Sequence, residues 1–121
     1  MDIKEREDIE KLVNQFYKKV QADPLLAPLF GHVDWTKHLP LMHNFWASMV
    51  LGEYSYQGNP FQKHANLPLK QEHFSQWILL FIETVDQNFK GQKANEIKDR
   101  ARNIARIFQH KMGIARPEVK L

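Results

Sequence analysis

Residues 74–91 read FSQWILLFIETVDQNFKG, with apolar side chains at Phe74, Trp77, Ile78, Phe81, Ile82, Val85 and Phe89. Intervals of three and four residues trace one stripe along an α-helix, not the alternation of a strand. Gly91 stands where such a helix stops. A stripe this wide and this aromatic must be covered by other elements, so the flanking sequence is read for its partners.

Three further stripes supply them. Ala94, Ile97, Ala101, Ile104, Ala105, Phe108 and Met112 mark a helix that ends at Gly113. Near the start, Ile9, Leu12, Val13, Phe16, Tyr17 and Val20 share a face, and Asp23-Pro24 ends it. Between them, His38, Met42, Phe45, Trp46, Met49 and Val50 predict a helix closed by Gly52, with Asp34 or Thr36 as its cap. A start near Thr36 is favoured, because it brings Pro40 close to the first turn, where a missing N–H costs little. Residues 24–30, PLLAPLF, fit a single packed turn, and 53–59 a loop. Asn59 and Pro60 then open a short helix with Phe61 and His64 on one face, stopped by Pro68. No stretch alternates and no repeat or linker divides the chain. The expectation is one all-α domain over residues 1–121, with 1–8 and 114–121 as frayed tails.

Composition removes several classes of function. The 121 residues contain no cysteine, which excludes disulfides, iron–sulfur clusters, thiolate-ligated haem and cysteine nucleophiles. No apolar run approaches the ~20 residues of a membrane span, so no membrane role and a cytoplasmic location are expected. The net charge of +3 rests on 17 basic and 14 acidic residues without a run of like charge, so nucleic-acid binding is not signalled. Eight Phe, three Trp and three Tyr suit a dense core or a wall around a planar ligand.

Six histidines are present, and their spacing limits what they can ligate. His38 and His43 lie about 140° apart around one helix and cannot converge on one ion. There is no His-Glu-x-x-His, nor paired Glu-x-x-His, so zinc hydrolase and di-iron readings have no support. His32, His43, His73 and His110 have polar neighbours or lie off the stripes and are read as facing solvent. Taken singly, His38 and His64 read as hydrogen-bonded core histidines, Tyr17 as an amphipathic core residue and Trp77 as a core filler. Together, Tyr17, His38 and Trp77 place three polar tips on three helices whose other inward residues are apolar. Converging tips fit a polar patch over a ligand in a dry pocket, which His64 could approach from the opposite side. Lys63 and Lys70 nearby are read as solvated.

The ordered set Phe16-Tyr17, Pro28-Leu29-Phe30, Trp35-x-x-His38-x-x-x-Met42-x-x-Phe45-Trp46, Lys63-His64 and Phe74-x-x-Trp77 resembles the truncated haemoglobins, and within them the third group. The resemblance runs from about Ile9 to Met112. It implies two helices packed over two around haem b, with His64 as the proximal iron ligand. Tyr17 would be the main distal hydrogen-bond donor, Trp77 the distal tryptophan and His38 a distal gate. Phe16, Phe30, Met42, Phe45, Trp46, Phe61, Leu67 and Phe81 would enclose the haem. The implied ligands are dioxygen, nitric oxide and carbon monoxide. Tight oxygen binding would suit nitric oxide dioxygenation or peroxide chemistry with a reductase partner, rather than oxygen transport. A haem-free helical module binding nucleic acid or a protein is the competing expectation.

Overall fold

The computed structural model describes residues 1–52 and 68–113. The expected short helix with Phe61, His64 and Leu67, and the expected C-terminal tail, lie outside the described residues. Within them, α1 spans Arg6–Ala22, a 3-10 turn Ala27–Phe30, α2 Trp35–Leu51, α3 Gln71–Asn88 and α4 Gln92–Lys111. No strand occurs among the described residues. No helix among them is long and apolar enough to cross a membrane.

The predicted stripes form the core. Every member of the α1 stripe is buried, as are Phe74, Phe81 and Val85 of α3. The small residues Ala94, Ala101 and Ala105 on the inner face of α4 are buried too and allow close packing on α3. α1 packs against α2 and α3, α3 packs against α4, and α2 and α4 meet only briefly. This last edge leaves room inside the bundle.

Local chemistry explains the helix boundaries and corrects three expectations. α2 begins at Trp35, capped by Asp34, whose Oδ1 accepts from the Thr36 N–H at 3.1 Å. Pro40 is therefore inside the helix and not near its first turn. It lies on the exposed side, where water can serve the carbonyl its ring leaves unbonded, so a strong cap outweighs one lost hydrogen bond. His43 is not solvent-facing but half-buried, and its Nε2 meets Asn14 Oδ1 at 2.8 Å, tying α2 to α1. Desolvation shifts its pKa downward; Glu10 opposes that shift and Arg6 reinforces it.

The third correction concerns residues 1–8, expected to fray. Ile3 is buried, and the Asp2 carboxylate accepts from the backbone N–H groups of Lys93 at 2.9 Å and Ala94 at 2.8 Å. Asp2 thus caps the N-terminus of α4 from the far end of the chain. Desolvation works against its charge, but the N–H donors of Lys93, Ala94 and Ile3 and the terminal ammonium outweigh it, so its pKa falls. Gly91, at φ 140°, makes the approach possible, since a Cβ there would meet the Asp2 carboxylate at 2.6 Å. Gly91→Ala combines that clash with a backbone conformation that L side chains rarely adopt. Thermal melting should show a loss of about 1–3 kcal/mol, a drop of several degrees. An unchanged melting temperature would mean that the cap is dispensable.

Candidate functional site

The Asp23-Pro24 turn directs the chain under the bundle. Asp23 accepts from the N–H groups of Leu25 and Leu26 and, at 2.7 Å, from Gln76 Nε2 of α3. That fixes the turn and brings Phe30 to one side of a cleft between α2, α3 and α4. The cleft has a volume of about 710 Å³, mouth included. Its walls are almost wholly apolar.

Six residues singled out from the sequence line it: Tyr17, Phe30, Met42, Phe45, Trp46 and Trp77. Phe16 and Phe81 do not. Both are fully buried one layer behind, where they form the backing of the wall. Phe81 stacks on Trp46 at 4.9 Å and on Trp77 at 5.7 Å. Phe16 packs edge-on against Tyr17 at 4.9 Å and Trp77 at 5.6 Å. The two indoles are held in place by rings that never reach the cavity.

Among the described residues of the wall, Tyr17 is the one that bears a hydroxyl, and it is only 4% exposed. Burial pushes its phenol well above the ordinary tyrosine value, so the group stays protonated and can donate. His38 is not on the cavity wall. It stands edge-on to the Tyr17 ring at 5.6 Å and to Trp35 at 5.4 Å, with its Nε2 sealed from solvent. The structure thus brings Tyr17 and Trp77 to one cavity and sets His38 behind the first. His64, Phe61 and Leu67 fall outside the described residues.

Sequence reasoning missed part of the wall. Leu26, Leu69 and Phe74 contribute to it, and so do Ile104, Ala105 and Phe108 of α4. The α4 stripe carried that signal, since a helix completing the bundle has to face whatever the bundle encloses. His73 is a correction. Expected to face solvent, it lines the cleft and is half-buried. Its position four residues before Trp77, hence on the same helical face, was the available sign. His32 and His110 are exposed as expected.

Such a cleft suits a mainly apolar ligand, and among its described lining residues Tyr17 carries the one hydroxyl. Comparisons with known proteins identify the family. The family model described as bacterial-like globin matches residues 2–112. The group 3 truncated haemoglobin of Campylobacter jejuni is 39% identical over 112 residues, 87% of this chain and 88% of that protein. A group 1 truncated haemoglobin of Nostoc commune is 39% identical over 67 residues, 54% of this chain and 57% of its own length. The crystal structure of the group III truncated haemoglobin from Campylobacter jejuni superposes with a TM-score of 0.84, covering 93% of this chain and 94% of that one.

Proposed function

The chain belongs to the bacterial-like globin family, and from that premise we propose that it binds haem b and holds dioxygen tightly on the Tyr17 side. Membership implies haem-based binding of diatomic gases, and it does not favour a haem-free module for nucleic acid or protein partners. The described residues suit the cofactor, since an apolar cleft walled by Phe30, Phe45, Trp46 and Trp77 accepts a planar macrocycle. The chain has no cysteine for a thioether link, hence the b type. When bound, haem would supply an iron atom that takes a diatomic ligand, and His64 is the residue that would hold that iron.

The single observation that carries the reading is the buried phenol of Tyr17 in a mainly apolar wall. Donors in a dry cavity stabilise charge on a ligand far better than the same donors in water, and they favour dioxygen over the less polar carbon monoxide. Trp77 adds an N–H-bearing ring to that wall. His38, edge-on to Tyr17, steadies the phenol from behind the wall. Slow oxygen release does not suit a carrier. We therefore assign the protein to dioxygenation of nitric oxide or to peroxide activation, with electrons from a reductase.

Two measurements test this. Tyr17→Phe should raise the oxygen dissociation rate in stopped-flow by about 10-fold, the equivalent of about 1.5 kcal/mol for a hydrogen bond to a charged group; an unchanged rate removes Tyr17 from the role. The reduced protein, given oxygen and nitric oxide, should form nitrate faster than free haem does. Failure there ends the dioxygenase assignment.

A further inference from the structure

Among the described residues, four of the cleft wall carry an N–H or O–H in the side chain: Tyr17, Trp46, Trp77 and His73. Tyr17 and Trp46 are buried, and Trp77 stacks flat on Phe81. His73 differs, because it sits in the first turn of α3 between exposed Glu72 and buried Phe74, where the wall meets solvent.

The tautomer of His73 is set by its own helix. The Lys70 N–H at the N-cap donates to His73 Nδ1 at 2.8 Å, the backward half of a capping box in which Glu or Gln is the usual acceptor. A ring nitrogen that accepts carries no proton, so the imidazole proton is on Nε2. The cap therefore leaves the rim with a fixed N–H donor that accepts nothing from the cleft. An apolar ligand with an acidic edge must enter with that edge outward, because buried unpaired carboxylates are strongly disfavoured. The N-terminal end of an 18-residue helix adds a field of the right sign.

We propose that His73 is a cofactor-anchoring residue, donating from Nε2 to a propionate carboxylate of the haem at the mouth of the cleft. This rests on the haem reading above and adds a residue to it.

The test compares release of haemin with release of haemin dimethyl ester, which lacks the carboxylates, from the full chain into an apoglobin acceptor, followed at the Soret band. His73→Glu keeps an acceptor for the Lys70 N–H but puts a negative charge where the donor was. His73→Gln keeps both the acceptor and a neutral donor. The Glu variant should release haemin at least about 10-fold faster than the parent, the worth of one hydrogen bond to a charged group, and the Gln variant within about 3-fold of it. The dimethyl ester should leave all three proteins at one rate. Melting of the cofactor-free Glu variant at or above the parent temperature shows that the cap survives. Equal haemin release from parent and Glu variant, or equal acceleration with both cofactors, overturns the assignment of His73 alone. A parent that takes up neither cofactor overturns the haem reading, and the anchor with it.

Discussion

Replacing His64 by Ala is expected to abolish stable haem retention while leaving the helices intact. The argument starts from chemistry. Haem without cysteine ligands is held in globins by a neutral imidazole, and the resemblance assigns that role to His64, following Lys63. Groups that merely support a metal ligand cost 10–100-fold in affinity when removed, so removing the ligand itself should cost at least about 100-fold. Haemin titrated into the cofactor-free variant should give a weak, shifted Soret band, and added free imidazole should partly restore it by filling the gap. A variant indistinguishable from the parent would transfer the role to another histidine. Among the described residues the cleft offers one, His73, so the double substitution would identify the ligand. Helical content should not change, because the substitution alters no residue of the buried stripes on the four long helices.

The four long helices could be read from the chain because their apolar spacing is a local property, visible in any window of a dozen residues. Tyr17 and Trp77 could be placed on one cavity for the same reason, each lying on the inward stripe of its helix. What escaped was not local. Nothing near Asp2 announces that its carboxylate will cap a helix beginning some ninety residues later, so the N-terminal segment read as loose. Pro40 misled in the other direction, since a rule about hydrogen-bond loss outweighed the better cap at Asp34. His73 was judged by the polarity of its neighbours, yet in a first helical turn polar neighbours are expected whatever that residue faces. Phe16 and Phe81 were correctly called inward, but a stripe cannot separate a ring that touches a ligand from one that supports it. That distinction depends on where neighbouring helices stop, and it concerns the strength of the wall more than its chemistry.

Phe81→Ala measures that strength, and its expected effect on stability is the largest of any substitution considered. Phe81 is fully buried, and among the described residues its ring packs on three others, with centroid separations of 5.0 Å to Phe16, 4.9 Å to Trp46 and 5.7 Å to Trp77. Truncation removes the apolar transfer energy and leaves a void among rigid rings that cannot collapse cheaply, for a loss of about 3–5 kcal/mol. Against the 5–15 kcal/mol by which a domain is normally stable, that is a large fraction, and urea melts of the cofactor-free protein should show it directly. The consequence for the site follows from the stacking. Without Phe81 the Trp46 and Trp77 rings lose their backing and can tilt into the void, which opens the apolar wall and should also speed haemin release. A stability loss below about 1 kcal/mol would mean that the void refills and that the wall does not depend on the layer behind it. A large loss of stability with unaltered haemin release would mean that the indoles are held from elsewhere, separating the core of this fold from the cavity it encloses.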